Sequence, residues 1–216
     1  MSQAHEVETR LRGMILDLEL GPGERLTERW AEAQLGASRT PVRAALLRLE
    51  AEGLVCREGR GWMVAPLDPR EIEQLYVYRE VLEAAAVRLA AQYADETAWD
   101  ALDAQFARPG ARMTKEDAHR IGMAFHVRLG ELSRNEFIRR GIADAMTRLS
   151  RVRWLDTEAD HPGWDEHAAI LAALRDGNAD EAEHRVRAHI GESRDRLMKI
   201  LERDRRSLRA RGAFVA

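Results

Sequence analysis

One stretch, LGASRTPVRAALLRLEAEGLV at residues 35–55, constrains the chain more than any other. A helix stops at Gly36 and another restarts two residues later, with Ser38 as N-cap and Pro41 in the first turn, where its missing N–H costs no hydrogen bond. Val42, Leu46, Leu49 and Leu54 then supply the buried side, at helical spacing. The expectation is two short helices meeting at a tight corner, with Arg39 and Arg43 one turn apart on a different face of the second.

The neighbouring residues complete a unit. Val7, Leu11, Met14, Ile15 and Leu18 line one side of a helix over residues 5–19, ended by Gly21-Pro22-Gly23. Thr27 caps a second helix carrying Trp30, Ala31 and Leu35, with Glu28 in the first turn, where the helix dipole favours an acid. The third helix runs from Ser38 to Ala51. Gly53 breaks it, and Leu54–Arg57 and Trp62–Ala65 read as two short strands around Glu58-Gly59-Arg60-Gly61. Three helices and a two-stranded hairpin describe a winged helix-turn-helix.

Pro66-Leu67-Asp68-Pro69 is the proline-dense stretch, and beyond it no strand signal returns. We therefore expect a winged helix-turn-helix domain over residues 1–66 and an all-helical domain over 67–216, a mostly α fold. Helices are predicted at 69–93, 96–107, 114–133, 135–157, 163–176 and 178–204, broken at Arg108-Pro109-Gly110, Asn135, His161-Pro162-Gly163 and Gly177-Asn178. Leu75, Tyr78, Leu82, Ala86 and Leu89 repeat at three and four residues, as in an antiparallel bundle. The arginine-rich end from Arg205 to Ala216 is weakly patterned and is expected to fray.

Composition bounds the setting. A chain of 216 residues can bury a real core. It has no apolar run near the ~18 residues of a membrane span, its first twelve residues lack an apolar signal core, and the single cysteine, Cys56, fits a reducing cytosol. The expectation is a soluble cytoplasmic protein with no membrane partner. Net charge is −3, so nucleic-acid binding needs local placement of basic groups. Residues 1–66 hold nine arginines against ten acids, but residues 39–60 hold five against three. A helix-turn-helix sets the first turns of its second helix into the major groove. Here that surface is Ser38, Arg39, Thr40 and Arg43, with Arg29 beside it, and Gly59 and Arg60 suit a wing entering the minor groove. The alternative is a solvated helical corner with exposed arginines.

His126, His167 and His189 fall at inward positions of three predicted helices. Together they could hold a divalent transition metal, zinc or nickel, each ring needing a second acceptor for its outer nitrogen. With no close-spaced pair, three separate core histidines remain the alternative. Arg79 lies among apolar neighbours in LYVYREVLE, where an unpaired guanidinium is costly. Glu83, four residues on, is its ordinary partner.

The segment LGPGERLTERWAEAQLGASRTPVRAALLRLEAEGLVCREGRGWMVAPL resembles the reader domain of the GntR family of bacterial transcription regulators, over essentially all of residues 7–67. The resemblance implies a homodimer on a pseudo-palindromic operator in double-stranded DNA, with Arg29, Arg39, Arg43 and Gly59 at contact positions. Trp30 departs from the usual small aliphatic residue or leucine, and Ala44 from the usual glutamate. Residues 70–204 resemble the all-helical FCD effector domain, whose three-histidine metal set matches the spacing of His126, His167 and His189. That implies a cavity where Arg79 pairs with the carboxylate of a small effector, with Asn135 and Arg148 as further lining. The family's aspartate one turn before the first histidine falls on Gly122. His119 lies seven residues from His126, a rise of ~10.5 Å, too far to replace it, and Glu116 and Asp117 are farther. The function implied is a ligand-responsive regulator, most often a repressor, and not an enzyme. Two rivals stand beside it. One is a metal-dependent hydrolase, with Asp165 and Glu166 the acids near His167; the other is a dimerising bundle whose sensor is lost at Gly122.

Overall fold

A computed structural model describes residues 2–106, 115–155, 163–210 and 213. The order is α1 (Gln3–Leu16), β1 (Arg25–Leu26), α2 (Glu28–Leu35), α3 (Arg39–Ala51), β2 (Val55–Glu58), β3 (Gly61–Val64), α4 (Pro69–Tyr93), α5 (Glu96–Phe106), α6 (Lys115–Leu132), α7 (Glu136–Leu149), a 3-10 helix (Ser150–Leu155), α8 (Gly163–Arg175) and α9 (Ala179–Ala210). It is a mostly helical fold with one small sheet, as expected. Two compact units form. The first gathers the chain up to Ile72, Thr147–Val152 and the residues from Ile200 on; the second holds Glu73–Met146 and Arg153–Lys199.

In the first unit, α1, α2 and α3 close over Leu11, Leu46, Leu49, Leu54 and Trp62, all fully buried. Each such side chain stabilises by ~1.5–3 kcal/mol relative to exposure. Thr27 Oγ1 caps α2 by accepting from Trp30 N at 3.1 Å. Ser38 occupies the N-cap of α3 with extended backbone, but its hydroxyl makes no capping hydrogen bond. The sheet corrects the two-stranded expectation: β3 pairs with β2 on one side and with β1 on the other, Leu26 opposite Trp62 and Val55 opposite Val64. A two-residue strand has no alternation to read; β1 exists because Leu26 is buried in the core and Val64 bonds to the backbone of Gly23 and Glu24 beside it. At the wing tip Gly59 has φ +56°, a left-handed conformation that glycine adopts without strain.

Two arginines from Thr147–Val152 fasten this unit. Arg148 Nη2 donates to the Ala51 carbonyl at the end of α3, at 3.3 Å, and Nη1 lies 3.7 Å from Glu71. Its guanidinium lies over Gly53 (φ +71°), where a Cβ would stand 2.5 Å from Nη1. Arg151, buried, donates to the Ala65 carbonyl and to Glu71 Oε2, each at 3.2 Å. The C-terminal end corrects another expectation. α9 continues to Ala210 because Leu201 and Leu208 stay on a buried side while the arginines face out, and the Ala213 carbonyl accepts from Leu67 N at 2.9 Å.

In the second unit α4 runs over 69–93 as predicted, but its buried side differs. Tyr76, Arg79, Glu83, Ala86, Val87 and Ala90 face inward, whereas Tyr78 is 46% exposed. Arg79 and Glu83 satisfy each other, so a charged pair occupies a core face that apolar spacing alone misses. Leu82 still packs, against a cluster of Ala86, Ile142 and Met146. Phe106 meets Phe125 edge to face at 5.6 Å, joining α5 to α6. The predicted 135–157 helix ends at Leu149 and tightens into the 3-10 turn. Residues 156–157, the breaks at Arg108-Pro109-Gly110 and His161-Pro162, and residues 211, 212 and 214–216 lie outside the described residues. Among the described residues no helix is long and apolar enough to cross a membrane.

Candidate functional site

Three helices of the second unit each contribute one imidazole to a common point. His126 follows Phe125 on α6, His167 lies on α8 and His189 on α9, and all three are buried. Their ligand atoms lie within 4.8 Å of one another. His189 Nε2 is 3.3 Å from His167 Nε2 and 3.4 Å from His126 Nε2. Phe125 stacks on His167 with ring centroids 4.1 Å apart, which fixes that ring's plane. The histidines are therefore one cluster, able to hold a metal ion, rather than three separate core residues.

Two carboxylates orient the outer nitrogens. Glu83 Oε2 lies 2.7 Å from His126 Nδ1, and Glu166 Oε2 lies 2.5 Å from His189 Nδ1. An acceptor at Nδ1 holds the proton there and turns the Nε2 lone pair toward the centre, the arrangement of a metal-ligating histidine. The spacing agrees: two nitrogens bound at tetrahedral angles to one zinc ion stand ~3.3–3.4 Å apart. Burial, then the charge of Arg79 and that of His189, hold His126 well below its ordinary range. Burial lowers His189 too, against the raising effect of Glu166. Both rings are thus neutral at neutral pH, the form that binds a cation.

Arg79 borders this centre. Its Nε donates to Glu83 Oε1 at 2.5 Å, and Nη2 lies 3.0 Å from His126 Nδ1 and 2.8 Å from Nε2, straddling the ring. Glu83 so binds the arginine with one oxygen and the histidine with the other. Its i,i+4 spacing to Arg79 is visible in the sequence; the link to His126 is not. A Cβ on Gly122 would stand 3.9 Å from His167 Cε1, an ordinary contact, so among the described residues α6 passes beside the cluster with room for a Cβ. His119's side chain lies outside the described residues. Asn135 and Arg148 are placed elsewhere: Asn135, exposed, caps α7 by accepting from Phe137 N and Ile138 N, and Arg148 belongs to the first unit.

The other candidate surface is the outer start of α3. Arg39 and Arg43 side chains are 71% and 57% exposed, and Arg29, Ser38, Thr40, Gly59 and Arg60 are exposed as well. Both arginines turn toward one acid that counting residues 39–60 leaves out. Glu28 Oε2 accepts from Arg39 Nε at 2.6 Å, and its Oε1 lies 3.9 Å from Arg43 Nε. Behind the wing, Arg57 lies over the Trp62 ring at 3.5 Å.

A winged helix-turn-helix with this basic edge, joined to a helical unit with a buried polar centre, belongs to the class of DNA-binding transcription regulators. The comparisons agree: residues 3–64 match the bacterial regulatory proteins of the gntR family, and residues 74–192 match the FCD domain. The chain belongs to the GntR family, with an FCD domain. The Nta operon transcriptional regulator of Aminobacter aminovorans is 31% identical over 191 residues, covering 87% of this chain and 91% of that protein. A GntR-type regulator from Rhodococcus sp. RHA1 superposes with a TM-score of 0.74 at 25% identity, over 92% of this chain and 99% of that one. E. coli McbR/YncC shares the fold, with a TM-score of 0.73 at 21% identity over 92% and 98%. Family and relatives indicate a transcription regulator rather than an enzyme.

Proposed function

We propose that this protein is a cytoplasmic, ligand-responsive repressor that binds a pseudo-palindromic operator as a homodimer and releases it when a small carboxylate enters the FCD domain. Arg39, Arg43, Ser38 and Thr40 meet the major groove, Arg29 flanks them, and Gly59 and Arg60 enter the minor groove. The observation that carries the sensing half is the convergence of three buried imidazoles beside a buried arginine. His126, His167 and His189 hold a divalent zinc or nickel ion, which when bound supplies a Lewis-acidic charge for an effector carboxylate. Glu83 and Glu166 keep the rings oriented, and Arg79 adds a second positive group. An effector acts only through different affinity for two arrangements of the dimer; ~1–3 kcal/mol of coupling changes operator occupancy about 5- to 150-fold. Of Asp165 and Glu166, the two acids a hydrolase would draw on, Glu166 is committed to His189. The lost-sensor alternative is favoured by Gly122 alone.

The test has two arms. Metal-stripped protein is titrated with Zn2+ and Ni2+ by calorimetry, with His189→Ala beside it; saturable binding that the variant loses supports the centre, and no binding to the wild type sinks it. Duplexes selected from a random pool are expected to show two half-sites about one helical turn apart. Small carboxylates are then titrated into the complex, and a panel that releases no DNA and gives no thermal stabilisation returns the bundle to a dimerising role.

A further inference from the structure

The base-reading arginine of α3 is held by a residue outside its own helix. Glu28 is the first residue of α2 and Arg39 the first of α3, so their hydrogen bond joins the starts of the two helices. The two ends of this bond differ in exposure: the Glu28 side chain is 16% exposed against 71% for Arg39. The indole of Trp62, a buried core residue of β3, lies near enough to the same carboxylate to favour its charged form. Glu28 is therefore the inner partner of the bond, while Arg39 projects outward from it. An ordinary surface ion pair has both partners exposed and mobile.

The atoms used matter as much as the pair. A guanidinium presents Nε on one edge and the two Nη groups at its tip, and the Nη pair is what matches guanine O6 and N7. Glu28 engages Arg39 through Nε. Arg43, at 3.9 Å from Oε1, feels the carboxylate's charge without a hydrogen bond. A free arginine loses rotamer freedom when it docks on a base, and one already held loses less.

We infer that Glu28 is the positioning residue for sequence reading: set into the surface while Arg39 projects from it, its carboxylate aims Arg39 through Nε and presents the Nη pair to a guanine edge in the major groove. This rests on the proposal above that Arg39 meets DNA. Glu28 also brings a negative charge near the phosphates, so its two effects separate. It raises discrimination between sequences while lowering affinity for DNA in general.

The experiment uses the full chain, a duplex selected from a random pool, and a scrambled duplex of the same length and composition. Binding is followed by fluorescence anisotropy for wild type, Glu28→Gln, Glu28→Ala, Arg39→Ala and Glu28→Ala/Arg39→Ala, with circular-dichroism melts confirming that each is folded. The expected result is that Glu28→Ala lowers the selected-to-scrambled affinity ratio on the order of 10-fold, within the span of one bidentate contact. It binds the scrambled duplex as tightly as wild type or tighter. Glu28→Gln, which keeps an acceptor for Nε, retains most of the ratio, and in the Arg39→Ala background Glu28→Ala changes it no further. If Glu28→Ala tightens both duplexes equally, Glu28 is a counter-charge and the inference falls. An equal loss in the Arg39→Ala background shows a general effect on the fold and also overturns it. If Arg39→Ala alone leaves the ratio intact, the reading role of Arg39 fails first, and Glu28 has nothing to aim.

Discussion

Replacing Arg79 by methionine tests the buried centre most severely. The side chains of Arg79 and Glu83 are 4% and 0% exposed, and that of His126 is 4% exposed. Methionine fills much of the arginine's volume but leaves Glu83 Oε1 without its donor. Breaking a buried ion pair by removing one partner costs ~3–5 kcal/mol, and for a chain of this size 1 kcal/mol moves the melting temperature by ~2–4 °C. Arg79→Met is therefore expected to melt ~6–20 °C lower at pH 8. The loss should shrink at pH 6. In the wild type His126 is depressed by burial and by the charge of Arg79, so its contribution is present above about pH 6.5 and is lost as pH falls below it. In the variant that charge is gone and Glu83 faces the ring alone, so His126 takes up a proton more readily and pairs with the stranded carboxylate. That raised value adds stability at low pH and loses it as pH rises through it. Calorimetric melts of metal-stripped protein at pH 6 and pH 8 measure both, with Arg79→Met/Glu83→Met as the control that removes the stranded charge. A loss under ~1 kcal/mol at pH 8, or one identical at both pH values, refutes a closed Arg79–Glu83–His126 triad.

Two further outcomes follow from the same geometry. Glu166→Gln weakens the carboxylate behind His189 Nδ1, and Zn2+ affinity measured by calorimetry is expected to fall ~10- to 100-fold, the usual effect of an outer-shell partner. Gly122→Asp places a carboxylate beside His167 without a steric clash; Zn2+ affinity rises, and melts of the metal-free protein show little change or a small loss. Unchanged affinity in either variant argues that the ion lies elsewhere.

Much of the fold is legible because local signals agree with it. Gly36, Ser38 and Pro41 punctuate the helical corner, and Pro69 opens α4 where the linker ends. What stays hidden depends on contacts between residues far apart in the chain. β1 is two residues long and is defined by its partner, Leu26 against Trp62. The inward side of α4 is obscured because Arg79 and Glu83 look like surface residues until seen paired. The histidine spacing suggests a metal set, but the assignment of Glu83 and Glu166 to particular ring nitrogens rests on contacts 43 and 23 residues apart. Arg148 reads as cavity lining from resemblance, yet bonds to the Ala51 carbonyl, 97 residues earlier. Charge counting along residues 39–60 finds the exposed arginines and misses Glu28, because the acid that faces them comes from the preceding helix.

Gly53 stands at the turn between α3 and β2 under two independent demands. Its backbone sign penalises any side chain, and its missing Cβ is the space in which the Arg148 guanidinium lies. Trimming Arg148 relieves the second demand and leaves the first, while moving the guanidinium aside loses the Ala51 carbonyl as its acceptor. No single exchange elsewhere relieves both, so any side chain placed at Gly53 is expected to destabilise this turn. The exit of the recognition helix is thereby frozen by the absence of one carbon atom.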